Sequence, residues 1–176
     1  MRRFMKYFLV MLLPLGVLLI RPATPALVLF WGDRIRLSTE PVDPRDVFRG
    51  DYVELRFAIE EVDKNLMDSE LQRDFDRQTM PEALYVLLSS DSKGIYSPVG
   101  VTKEIPSDGI YIKGRPRSRY GNAGHIRLNY GQNLSRFYVR ENTGLELERL
   151  ARQGDIVATA KVWKGRVVLE NLDPAH

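Results

Sequence analysis

Apolar and polar positions alternate with period two over much of this chain, and that rhythm predicts a β-rich domain. From Val53 onward Val53, Leu55, Phe57 and Ile59 fall on one face, with Glu54, Arg56 and Glu60 on the other. This is the pattern of a half-buried strand. Residues 34–39 alternate in the same way and end in a turn over residues 41–50, so the two segments are expected to pair as a wide hairpin. Residues 83–90 and 94–101 flank the turn signal Asp91-Ser92-Lys93-Gly94, and Pro98 assigns the second of them to a sheet edge or a bulge. Residues 109–114, 125–130 and 136–139 read as further strands. Residues 156–163 and 166–172, joined by Lys164-Gly165, read as a closing hairpin.

Helical spacing appears in fewer places. Leu66, Met67, Leu71 and Phe75 recur among acidic residues over 63–78, predicting a short amphipathic helix or a loop. Thr143 with Glu146 forms a capping-box pattern ahead of Leu147 and Leu150, so a second short helix is expected to stop near Gly154. Residues 26–31 are apolar without alternation, consistent with a strand buried on both faces, which is the favoured reading, or with an interfacial segment. The expected fold class is therefore mainly β, of α+β type, with a twisted antiparallel sheet curled into a barrel or sandwich.

The N-terminal stretch follows a different rule. Arg2, Arg3 and Lys6 flank an apolar run over residues 4–20, near the lower limit of about 17 residues for a membrane helix. A cleaved signal peptide competes with an uncleaved anchor, but Pro22 and Pro25 crowd the place where a cleavage site belongs. The expected organisation is an anchor over residues 1–25 and a domain over 26–176. Basic residues concentrated before the run place the N-terminus in the cytoplasm and the domain outside.

Composition narrows the chemistry. The absence of cysteine excludes disulfides and thiolate sites, and two histidines, one of them His176, leave no His-based metal centre. Neither a metal nor a cofactor is expected. A net charge of +3, from 26 basic and 23 acidic residues, gives no reason to expect nucleic acid as a partner. The lipid bilayer and a multi-pass membrane protein are the expected partners.

The densest charge lies on either side of Gly50, where Asp43, Arg45, Asp46, Arg49 and Asp51 precede Tyr52. Pro41 and Pro44 stiffen the approach. A turn alone needs no such cluster. Carboxylates and guanidinium forks at this density suit a polar ligand or acid/base work, or else an ion-pair network that caps the turn. Lys113, Arg115, Arg117, Arg119 and Arg127 form an acid-free basic stretch suited to anionic headgroups. The candidate binding set is thus Asp43, Arg45, Asp46, Arg49, Gly50, Asp51, Tyr52, Lys113 and Arg115.

The segment Gly50-Asp51-Tyr52-x-x-Leu55-x-Phe57, with Pro41-Val42-Asp43-Pro44-Arg45-Asp46 before it, resembles the signature of the bacterial GDYXXLXY family. Phe57 stands where that motif has tyrosine. Tyr111-Ile112-Lys113-Gly114-Arg115, Phe137-Tyr138-Val139 and Gly165-Arg166-Val167-Val168-Leu169 extend the resemblance along residues 30–172. It implies a membrane-anchored protein with no assigned activity, so function is read as that of a binding or accessory module serving another envelope protein. A weaker likeness, in the order of Ser38, the Gly50-Asp51 strand entry and Lys113, is to membrane-anchored signal peptidases. In that alternative Ser38 is the nucleophile and Lys113 its base.

Overall fold

The computed structural model describes residues 2–40, 52–77, 79, 81–117, 124–138 and 156–174. The charged turn from Asp43 to Asp51, the helix expected after Thr143, Arg119 and Val139 lie outside them.

A long helix, α1 (Arg2–Trp31), leads into an antiparallel β domain. Residues 26–31 are therefore not a strand: they form the last turns of α1. The reason is spacing, since in this stretch only Val28 is buried, at 0% exposure, while Phe30 and Trp31 are 79% and 65% exposed. One buried position in six suits a helix resting on the domain and not a strand buried on both faces. The expected boundary at residue 25 falls inside this helix. Among the described residues no helix is long and apolar enough to cross a membrane; within α1 the apolar run is followed by Arg21, Pro22 and Pro25. The span expected over residues 1–25 rests on the sequence alone.

Gly32 ends α1. Its N–H donates to the Val28 carbonyl at 2.8 Å, and a Cβ here would stand 2.4 Å from that oxygen and 3.1 Å from the Val162 backbone. The chain then enters β1 (Asp33–Glu40), as the alternation predicts. The closing hairpin also forms, as β10 (Ile156–Trp163) and β11 (Arg166–Pro174). Lys164 and Gly165 at its tip have φ of 49° and 76°, the left-handed geometry that tight two-residue hairpin turns require.

Residues 53–60 read as one strand by alternation, yet residues 52–63 fold as several pieces. They are β2 (Tyr52–Glu54), β3 (Arg56–Phe57), a 3-10 turn (Ala58–Glu60) and β4 (Glu61–Asp63). The expected inward set holds for Leu55, Phe57 and Ile59, all buried. Continuity fails because the segment passes between sheets. Its first piece pairs with β9 (Arg136–Tyr138), the second with β1 through Thr39↔Phe57, and the third with β8 (His125–Asn129).

Three sheets result, ordered β11-β10-β1-β3, β2-β9, and β4-β8-β7-β5-β6. The last includes β5 (Leu84–Ser90), β6 (Tyr96–Thr102) and β7 (Ile110–Pro116). Pro98 sits on the edge strand β6, where the register with β5 shifts between Leu87 and Leu88, so the proline costs no ladder bond inside the sheet. Single bridges such as Ile112↔Gly165 and Arg36↔Ile95 tie the sheets together into a half-barrel. One cluster including Ile35, Phe57, Leu84, Ile112, Leu128 and Ile156 fills the concave side. The acidic segment yields α2 (Ser69–Asp76), capped by the Asp68 carboxylate accepting from the Leu71 N–H at 2.7 Å, and it buries Leu71. A one-turn helix, α3 (Gln132–Ser135), was not legible in the pattern.

Candidate functional site

Where the motif strand breaks, its polar face opens onto a concave surface. The Leu55 N–H leaves its neighbours in the chain and donates to the Ser135 carbonyl at 2.9 Å. This contact places β2 and β3 against α3. Between them lies a cleft of about 410 Å³, whose lining includes Glu54, Arg56, Glu60, Arg117, Gln132 and Arg136. A smaller hollow of about 140 Å³ shares Arg56, Glu60 and Arg117, and adds Glu40, Glu61 and Arg127. Its volume puts the main cleft within the usual range of small-ligand sites, roughly 300 to 1,000 Å³.

Glu60 is the centre of this surface. The 3-10 turn that interrupts the strand swings its carboxylate inward, where Oε1 accepts from the Phe57 N–H at 3.3 Å. Burial pushes its pKa above the ordinary carboxylate value; the Phe57 N–H and the Arg117 and Arg56 guanidinium groups oppose that shift, and Glu40 reinforces it. Tyr130 donates its hydroxyl to the Ile59 carbonyl at 2.7 Å, one residue from Glu60. Burial, and then the Glu60 charge, raise its pKa, so the phenol stays protonated. Beside them Glu61 pairs with Arg127, whose hydrogen bond holds the Glu61 carboxyl below its usual range.

A half-buried carboxylate with a raised pKa, set among guanidinium groups in a cleft, is able to accept hydrogen bonds from a ligand while the arginines hold its anionic part. Sequence reasoning placed Arg56 and Glu60 on an outward face and Arg117 in a basic loop. Their convergence depends on strand breaks that alternation does not reveal.

Of the expected site residues, Asp43, Arg45, Asp46, Arg49, Gly50 and Asp51 lie outside the described residues. Glu40 and Tyr52, the described residues on either side of that turn, are at the cleft: Glu40 lines the smaller hollow, and the Tyr52 ring lies 4.7 Å from the Arg136 guanidinium. The Tyr138 ring flanks Tyr52 at 5.9 Å. Tyr52 thus acts on the cleft wall through a cation–π contact. Lys113 and Arg115 share the outward face of β7, and Lys113 approaches the Tyr85 ring at 6.0 Å. Neither lines the cleft. Lys113 borders a separate hollow of about 250 Å³ beneath Thr24 and Val28 of α1.

Ser38 and Lys113 are not brought together. Ser38 pairs with Val157 at one end of β10, whereas the Lys113 N–H donates to Gly165 at 2.7 Å, beyond the other end of that strand. The strand between them spans about 20 Å at ~3.3 Å per residue. That separation exceeds hydrogen-bond reach, and the serine-lysine dyad lacks its geometry.

Helix, half-barrel and charged cleft together define a class: a mainly β domain carried on a long N-terminal helix, with a polar concave site beside a strand break. The family model described as GDYXXLXY protein matches residues 14–172, nearly the whole chain, and the protein belongs to that family. Neither the curated proteins nor the solved structures include a match. The structure shows what part of the motif does physically, since Leu55 and Phe57 are core residues and Tyr52 supports Arg136.

Proposed function

We propose that this chain is a membrane-anchored, extracytoplasmic binding or accessory module that uses the Glu60 cleft to engage another membrane or envelope protein, a multi-pass one foremost. The observation that carries the binding role is Glu60 itself. It stands with Arg56, Arg117 and Arg136 on the wall of a concave cleft of about 410 Å³, a convergence of polar groups that suits a ligand, and burial there holds its pKa above the ordinary carboxylate value. The anchoring role draws on the basic flank of Arg2, Arg3 and Lys6, on the apolar run over residues 4–20, and on the outward apolar side chains of Tyr7, Phe8, Val10, Met11 and Leu18. That run continues into the domain as part of one helix of 30 residues, about 45 Å long at ~1.5 Å per residue.

The test uses the full chain in its native membranes with a photo-crosslinking residue at Gln132, on the cleft wall. The expected result is a membrane-bound chain with its N-terminus intact by mass spectrometry, and an adduct with an envelope protein that is lost in Arg56→Ala and Arg117→Ala. A soluble chain beginning near Leu27, or adducts indifferent to both substitutions, would overturn the proposal.

A further inference from the structure

We infer that the cleft takes a small carboxylate whose acid group stands beside N–H or O–H donors, such as the C-terminal end of a peptide or a sugar acid. This inference rests on reading the cleft as the binding site. Three features of the wall carry it.

The first is pairing. Among the described residues the ion pairs are Arg34–Glu170, Lys64–Asp76, Lys103 with Glu70 and Asp74, and Arg127–Glu61. Arg56, Arg117 and Arg136 are absent from that set. A guanidinium group offers only donors, in a planar fork that matches a carboxylate, so these side chains select an acceptor of that shape.

The second feature is the company those arginines keep. Glu54 and Glu60 share the wall with them, so among the described residues cations outnumber carboxylates there by three to two. A dianion such as phosphate meets two like charges there, whereas a monoanion is balanced. Glu60 uses Oε1 for the Phe57 N–H, and among the described residues no other hydrogen bond engages its carboxylate, so Oε2 is the oxygen to accept from a ligand. An acceptor that shares one wall with guanidinium forks asks for a ligand with a donor next to its acid.

The third is size. At about 30 Å³ per water-sized group, a cleft of about 410 Å³ holds roughly a dozen non-hydrogen atoms. A capped dipeptide or a hexuronic acid has that many. Whole proteins and lipid tails do not fit inside, although a protein chain is able to insert its terminus.

The experiment is calorimetric titration of the full chain in detergent micelles with N-acetyl-alanyl-alanine, its C-terminal amide, glucuronate and inorganic phosphate. At least one of the two acids is expected to bind, the peptide acid at least tenfold more tightly than its amide if the source is a peptide, and either acid more tightly than phosphate. Arg56→Ala and Arg117→Ala are each expected to weaken binding about tenfold or more, while Arg166→Ala, which does not line the cleft, leaves it unchanged. Whichever acid binds identifies the source. Equal binding of peptide acid and amide with no glucuronate binding, tighter binding of phosphate, indifference to both cleft substitutions, or no binding by either acid overturns the inference. The comparison among ligands uses the unsubstituted protein, so it holds even if a variant misfolds. Crosslinks that persist at Gln132 without small-acid binding would leave the partner reading standing and refute only this one.

Discussion

Removing the Phe57 side chain tests the account of the motif most directly. The ring is 0% exposed and sits where β3 meets β1, opposite Thr39, within the cluster shared by the sheets. Phe57→Ala deletes a fully enclosed aromatic ring, a change that costs about 3 to 5 kcal/mol through lost transfer energy and the cavity left behind. Against a typical total of ~5 to 15 kcal/mol, that removes about a fifth or more of the stability. At about 2 to 4 °C per kcal/mol for a domain of this size, the melting temperature falls by roughly 6 to 20 °C. Urea unfolding of the full chain in micelles, followed by tryptophan fluorescence, reads the difference as a change in midpoint at constant slope. Phe57→Tyr is the companion, because it installs the residue the motif names. A hydroxyl enclosed there without a partner costs about 1 to 3 kcal/mol, less than the alanine variant. A loss below about 1 kcal/mol for Phe57→Ala would refute the core assignment. A gain for Phe57→Tyr would show that the pocket holds a hydrogen-bond partner and is not wholly apolar.

Glu60→Gln is expected to stabilise the protein at neutral pH. Because burial raises the folded-state pKa above the unfolded value, the Glu60 contribution is fully present below that unfolded value of about 4.5 and is lost as pH rises through the folded value. The amide keeps an oxygen for the Phe57 N–H, so melting temperatures of the two proteins should agree near pH 4 and diverge in favour of Gln toward pH 8; a constant difference across that range would remove Glu60 from the argument. Asp68→Ala deletes the cap of α2 and is expected to cost about 1 kcal/mol, read as faster amide exchange at Leu71 and Gln72; unchanged exchange would count against the cap.

Period-two alternation carried most of the fold, as β1, the β5–β6 hairpin and the β10–β11 hairpin show. It carried the inward face of Leu55, Phe57 and Ile59 as well, since burial at one face is a local property. What it left out is partnership. Tyr52 pairs with Tyr138, Phe57 with Thr39, and Val62 with Ile126, and nothing in the intervening residues announces those changes of sheet. The cleft was hidden for the same reason. Arg117 and Glu60 approach each other only after β8 and β4 have paired, and the 3-10 turn that holds Glu60 begins in a stretch whose inward positions still alternate through Ile59. Residues 26–31 misled because an apolar run without alternation satisfies a helix and a buried strand equally until its neighbours are known.

The way α1 joins the domain has a mechanical consequence. Val28 is inside the core, the Lys161 ammonium donates to the Leu29 carbonyl at 2.7 Å, and Gly32 passes directly into β1 with no linker between. Such a junction works as a bracket and not as a tether. A flexible linker lets a domain sweep a volume set by its length, and a partner then meets it at a low effective concentration. On a stiff stalk the domain keeps one azimuth and one height, so turning α1 about its own axis would turn the cleft through the same angle. If α1 is held in a membrane as proposed, a partner fixed in that membrane would face the cleft either persistently or hardly at all, and which of the two holds is set by the rotation of a single helix.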